Sequence, residues 1–218
     1  MNTQRYDLYG PIHKGLRAAH GEWLTQLGRA DFAEPADLLA SLRRYLTLCA
    51  SHLEHEDRFV HPLLEWRAAG TTAEVASQHE EHLVDFARIE RAIIAVQQAR
   101  PCERLAAGRD LYLTFSAFVA GDLAHMHWEE TVLFGRLCAH FRDEELEAME
   151  TAIIGSLTPQ ETVTAVRVIM PALNPAERDR MLAALRLAAP PEAFDAIVEY
   201  AVRPALGSED LAALGLAA

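Results

Sequence analysis

Two segments of the chain repeat their apolar positions at intervals of three and four residues, which places those side chains on one face of an α-helix. The first stripe consists of Leu38, Leu42, Tyr45, Cys49, His52, Glu56, Phe59 and Leu63. The second consists of Leu111, Phe115, Phe118, Asp122, His125, Glu129 and Val132. Counted from the His in each, the stripes match position by position, so one pattern occurs twice, 73 residues apart.

Residues 1–142 are predicted to form four long helices. The first runs from Pro11 to Gly28, the second from Pro35 to near Trp66, the third from Thr71 or Thr72 to Arg100, and the fourth from about Glu103 to Cys138. Pro62 should kink or end the second helix, and either Thr71 or Thr72 is the expected N-cap of the third. Because short connections join long helices, the pattern indicates an up-down-up-down four-helix bundle.

Residues 143–218 are predicted to be a helical C-terminal extension. Thr158 and Asn174 each precede a Pro and a Glu in the arrangement of a capping box, and Pro190-Pro191 begins another helix. This region contains neither His nor Cys, so no metal site is expected in it. We expect its apolar faces to pack on the bundle or on a second subunit, the latter giving a homodimer through the C-terminal helices.

Composition narrows the class of protein. Half of the residues are hydrophobic, and no sustained alternation of β-branched residues occurs, so the fold class is all-α. The net charge of −12 argues against a nucleic-acid partner. No apolar run is long enough for a membrane span, no apolar signal region is present, and the three cysteines are widely spaced. A cytoplasmic protein without a membrane partner is therefore expected.

Each stripe contains a His and a Glu four residues apart, His52 with Glu56 and His125 with Glu129. Both members of each pair should project from one helix face, a single turn apart. Imidazole nitrogen and carboxylate oxygen together suit iron, manganese or zinc. An ionised Glu in an apolar stripe is costly unless it is paired or binds a metal. The alternative is that the pairs face water, but their repetition within apolar stripes favours a metal site.

The first and third helices offer further imidazoles. The residues that share a face are His13, Leu16, His20, Trp23 and Leu27 in the first helix, and His79, His82, Phe86, Ile89 and Ile93 in the third. The chain therefore looks like two similar helical hairpins, each with one His followed by a His-x-x-x-Glu segment. Carboxylates from two opposed helices can bridge two metals in a bundle core.

The combination resembles the hemerythrin-like family, also called HHE cation-binding domains. It is carried by residues 11–14, 52–57, 78–83 and 125–130, and it covers about residues 5–140. The resemblance implies a non-haem centre of two iron ions, or of manganese or zinc, with oxo or hydroxo and carboxylate bridges. The ligands it implies are His13, His52, Glu56, His79, His125 and Glu129, with His82 in the same site. His82 departs from the pattern, because hemerythrins proper have the two His of this helix four residues apart rather than three.

Several nearby residues have two interpretations. His82 is either a ligand or a neighbour of the ligands, and Asp122 either accepts a hydrogen bond from a ligand imidazole or pairs with a Trp or Arg. Tyr45 and Cys49 are first of all core residues, although either could act at the centre. Among the other histidines, His20 is expected to be a hydrogen-bonded core residue. Surface or helix-end positions are expected for His55, His61, His127 and His140.

Two classes of function fit these residues, and a third fits them poorly. The first is a di-iron protein that binds or senses oxygen, or buffers iron; its ligand would be oxygen, another diatomic molecule or peroxide. The second is a di-iron redox enzyme acting on peroxide, nitric oxide or a small substrate. The third, a metal-free hydrogen-bonded core, conflicts with two repeated buried carboxylates. No dinucleotide fingerprint, phosphate loop or Ser-His-Asp set indicates a conventional enzyme.

Overall fold

The computed structural model describes residues 5–216, and all regular structure within this range is helical. The long helices are α1 (Gly10–Arg29), α2 (Ala36–Phe59), α4 (Ala73–Gln98) and α5 (Arg104–Trp128), with the short α3 (His61–Arg67) between α2 and α4. They are followed by α6 (Phe134–His140), α7 (Asp143–Ser156), α8 (Pro159–Ile169), α9 (Pro175–Ala188), α10 (Pro191–Ile197), α11 (Arg203–Ala205) and α12 (Ser208–Ala213). The predicted all-α class is confirmed.

The described chain divides into two compact units. The first contains residue 5 and residues 20–149, and the second contains residues 6–19 and 150–216. Helix α1 is continuous and contributes residues to both units. Within the described residues, none of the helices combines the length and apolar character that a membrane span requires.

In the first unit, α4 packs along α5 and α2 packs against α4. The inward faces of α2, α4 and α5 supply its core, in which the fully buried side chains include Leu39, Leu42, Ile89, Ile93, Leu111, Phe115 and Phe118. Leu39 takes the place of the predicted stripe residue Leu38, which is half-buried. Trp23 of α1 stacks on Tyr45 of α2, with ring centroids 5.8 Å apart. Helix periodicity thus identified the inward faces of these helices correctly over most of their length.

The stripes depart from prediction just after each Glu. Helix α2 ends at Phe59, and α3 starts again at His61 with Pro62 in its first turn, where a missing N–H costs little. In the fourth predicted helix, α5 passes into a π-helical turn over Glu129–Leu133 before α6 begins. These irregular turns shift the inward face by one residue.

Because of this shift, the prediction is wrong for the last residue of each stripe. Leu63 and Val132 are exposed, whereas their neighbours Leu64 and Leu133 are fully buried. The two irregular turns also occupy equivalent places in the repeat, because Val60 and Leu133 each lie eight residues after the His of their stripe, and both are buried. The repeat therefore extends past the His-Glu pairs.

The start of α4 corrects another expectation. Thr72 occupies the N-cap position, but its side chain makes no capping bond to the helix. Instead, Glu65 of α3 accepts hydrogen bonds from the backbone N–H groups of Gly70 and Thr72 and from the Thr72 hydroxyl. A carboxylate from the preceding helix therefore satisfies this end of the loop.

The second unit has its own apolar core. Its buried members are Val166, Met170, Leu182, Phe194, Val198, Ala201, Val202 and Leu206. Both predicted capping boxes are present, with Thr158 paired to Glu161 and Asn174 paired to Glu177. Helix α10 begins at Pro191 as predicted. These caps and this core all come from residues 150–216.

Candidate metal centre

Two carboxylates and two imidazoles converge inside the first unit. Glu56 comes from α2, His79 from α4 and His125 from α5, and Glu129 is the first residue of the π turn. All four side chains are buried, and one ligand atom from each lies within 4.8 Å of the others. Glu56 of the first His-Glu pair therefore meets both members of the second pair in space.

The separations between their atoms suit a shared cation. His125 Nε2 lies 3.3 Å from a Glu129 oxygen, and His79 Nε2 lies 3.6 Å from a Glu56 oxygen and 3.9 Å from one of Glu129. Ligand atoms about 2.0–2.2 Å from one metal lie roughly 3–4 Å from each other. Neither Nε2 atom has a hydrogen-bond partner among the described residues. These residues fit a transition-metal ion.

Both imidazoles are hydrogen-bonded at Nδ1, the ring nitrogen opposite the pocket. The Nδ1 atom of His79 lies 3.0 Å from Asp57 Oδ1, and that of His125 lies 2.9 Å from Gln78 Oε1. Because a carboxylate or amide oxygen can only accept, each Nδ1–H donates, and the lone pair of each ring is left on Nε2. A hydrogen bond of this kind orients the ring and fixes the tautomer that binds a metal.

Sequence reasoning missed these two orienting residues. Asp57 directly follows Glu56, and Gln78 directly precedes His79, so each occupied a position that resembles a solvated helix flank. Their adjacency to the ligands was the available signal, but the partners come from other helices. Asp57 also accepts from His61 Nδ1 at 2.9 Å.

Electrostatics in the metal-free pocket favour cation binding. Burial, together with the neighbouring charge of Glu129, raises the pKa of Glu56 well above its ordinary value. Burial lowers the pKa of His79, and it lowers that of His125 to about 4. Neutral imidazoles with available lone pairs therefore face a carboxyl group that would release its proton to an arriving cation.

The remaining candidate ligands are distributed as follows. His52 is largely buried on α2, and its Nε2 lies 3.4 Å from a Glu56 oxygen. His13 is fully buried in the second unit, where its ring stacks on Tyr9. His82 is buried, but its Nε2 lies 3.4 Å from Asp122 Oδ1 rather than among the four converging residues.

A second polar group lies beside His82. Asp122 accepts a hydrogen bond from His20 Nε2 at 2.6 Å, and the Tyr45 hydroxyl lies 2.9 Å from His20 Nδ1. His20 is thus the hydrogen-bonded core residue that was predicted, and the partner of Asp122 is a His rather than a Trp or Arg. Burial raises the pKa of the Cys49 thiol, which fits its interpretation as a small apolar core residue.

The other histidines give a mixed outcome. His127 is exposed and His140 ends α6, both as expected. The expectation of a surface position for His61 is wrong, since this side chain is buried against Asp57 and His79. The pair Asp57 and His61, four residues apart, looks like a solvated pair in the sequence because its third partner lies on another helix.

Comparison of the chain with protein-family models, with curated proteins and with solved structures finds no match.

Proposed function

We propose that this chain is a non-haem di-iron protein of the hemerythrin-like kind, which binds or senses oxygen or buffers iron. The observation that carries the proposal is the convergence of Glu56, Glu129, His79 and His125, with both imidazoles oriented by hydrogen bonds at Nδ1. Manganese and zinc suit the same donors, and carboxylates from opposed helices hold two iron or two manganese ions in bundle cores.

The proposed fold is a four-helix bundle of α1, α2, α4 and α5. Its support includes the antiparallel course of α1 and α5, in which His20 contacts Asp122 while Gly28 lies near Tyr112. His13 precedes His20 by seven residues, and Glu129 follows Asp122 by seven. On the pattern of the hemerythrin-like family, we propose His13 as a ligand with His52.

In this proposal His52, His79 and His125 would hold the ions together with Glu56 and Glu129, and the family pattern adds His13. When bound, the two ions supply a redox-active centre with affinity for a small ligand. The protein residues would exclude bulk water, hold Nε2 of His79 and His125 toward the pocket and compensate the cationic charge.

One observation favours a second candidate, a di-iron redox enzyme acting on peroxide, nitric oxide or a small substrate. His82 lies next to Asp122, so the second ion would have fewer protein ligands than if His82 joined His79 and His125. A less filled coordination sphere leaves room for an exogenous substrate.

Elemental analysis of the full chain, purified without chelators, tests the proposal. We expect about two iron ions per chain, as for other bundles with carboxylates from opposed helices. Glu56→Gln should lose most of this iron, because it removes a bridging charge. Glu54→Gln is the matched control, since Glu54 is exposed on the same helix. Wild-type protein without metal, or equal iron in both variants, would contradict the proposal.

A further inference from the structure

The imidazole of His82 is buried without a hydrogen bond. Only 4% of this residue is exposed, and neither ring nitrogen has a hydrogen-bond partner among the described residues. Its Nε2 lies 3.4 Å from Asp122 Oδ1, which is long for a hydrogen bond but suitable for two ligands of one ion. A buried polar side chain of this kind usually has a partner.

The carboxylate of Asp122 is oriented toward His82. Its Oδ2 atom accepts the hydrogen bond from His20, and the Tyr45 hydroxyl lies against the far side of the His20 ring. This anchors the carboxylate through one oxygen and directs the other toward His82. Hydrogen bonding of a ligand carboxylate by outer residues is the usual arrangement in metal sites.

His125 completes a set of three ligands. Its ring centroid lies 4.9 Å from that of His82, and one ligand atom from each of His82, Asp122 and His125 lies within 4.8 Å of the others. Because Gln78 engages Nδ1 of His125, Nε2 is the atom that remains for a metal. Two imidazoles and one carboxylate are a ligand set that holds divalent iron while leaving positions open.

We infer that His82, Asp122 and His125 form a second cation position, which takes a single divalent transition-metal ion beside the carboxylate pocket. It shares His125 with that pocket and in this respect rests on the proposed function. One Nε2 lone pair binds one ion, so the two positions compete for His125. An ion at Asp122 therefore weakens binding of the ion that His79 holds.

Titration of the metal-free full chain with Co²⁺ alone, without oxygen, tests the inference. The pocket-minus variant combines Glu56→Gln with Glu129→Gln. We expect it to retain about one Co²⁺ with a ligand-field absorption spectrum, because the second position needs neither Glu. Adding Asp122→Asn should abolish this binding. Adding Asp110→Asn, at an exposed acid of the same helix, should leave it unchanged.

Two outcomes would overturn the inference: a pocket-minus variant that binds no Co²⁺, or one whose binding survives Asp122→Asn. If Asp122→Asn does not fold, as judged by thermal melting, His82→Gln in the pocket-minus background decides by the same criterion. The proposed function fails separately, if the pocket-minus and wild-type chains bind the same number of ions.

Discussion

Asp57 joins two helices at the back of the proposed centre through a single oxygen. Its Oδ1 atom accepts from Nδ1 of both His61 and His79, at 2.9 and 3.0 Å. Burial acts to raise the pKa of Asp57, but the hydrogen bond from His61 and the interaction with His79 outweigh it and hold the pKa below its ordinary value. Asp57 is therefore a carboxylate at neutral pH, and it directs His79 Nε2 into the pocket.

Removing this acceptor should weaken metal binding without removing a ligand. For Asp57→Ala we expect metal affinity about 10–100-fold below wild type, the usual effect of losing such an orienting partner. Competition with a chelator of known affinity provides the measurement. Glu54→Ala, at an exposed position of the same helix, is the control and should behave as wild type. Equal affinities for both variants would show that Asp57 does not orient His79.

At the scale of the element, the ring of Phe32 packs directly against the backbone of helix α5 at Gly108. Phe32 has a positive φ of 56°, and a Cβ added to Gly108 would lie 2.2 Å from its ring. Phe32 is buried, so its ring cannot move into solvent without losing contact. Gly108 is therefore required for this close approach, although Ala would favour the helix.

Two Gly→Ala substitutions should consequently change the free energy of unfolding in opposite directions. Gly108→Ala should destabilise the first unit by about 1–3 kcal/mol through overpacking, which exceeds the gain in helix propensity. Gly21→Ala adds a Cβ with no atom within 4 Å, on an exposed position of α1. It should stabilise by up to about 1 kcal/mol. Denaturant unfolding of the metal-free chains measures both, and a stable Gly108→Ala protein would refute the packing argument.

At the scale of the whole molecule, the metal-free protein should lose stability as pH rises. The folded-state pKa of Glu56 lies above its unfolded value, so the folded state binds this proton more tightly than the unfolded state does. Stability is then greatest below the unfolded pKa of about 4.3 and declines as pH rises toward the folded pKa. His79 and His125 oppose this trend on the acid side, because burial lowers the pKa of both, that of His125 to about 4.

Thermal melting of metal-free protein between about pH 7.5 and pH 8.5, above the unfolded-state pKa of histidine of about 6.5, isolates the contribution of Glu56. Glu56→Gln should melt at a higher temperature than wild type there, with a weaker dependence on pH, because no carboxyl group has to stay protonated in the core. With metal bound the order should reverse, since wild type gains the binding energy. Identical melting of the two metal-free proteins across this range would contradict burial of an acidic Glu56.

Much of the helical framework could be predicted because its signals are local. The inward faces through Leu42, Phe115 and Ile93 followed from periodicity, and the caps at Thr158 and Asn174 followed from residues three apart. The convergence of the two His-Glu pairs could be anticipated from their repetition.

Other features depend on contacts between helices, which the spacing of residues along the chain does not reveal. Leu63 and Val132 were expected inside because helical periodicity carries no sign of the irregular turns before them. Asp57, Gln78 and His61 acquire their roles from partners on other helices. Tertiary geometry, rather than spacing along the chain, decides which side of a helix such residues serve.

The irregular turns after Glu56 and Glu129 have a consequence for how this sequence can diverge. The first interrupts the helix at Val60, four residues after Glu56, and the second begins at Glu129 itself, and each already departs from regular α-helical geometry. Changes in length or composition beyond residues 60 and 133 can be absorbed there before they reach the carboxylates. In evolutionary terms, we expect the proposed donor set to tolerate change in the chain that follows it.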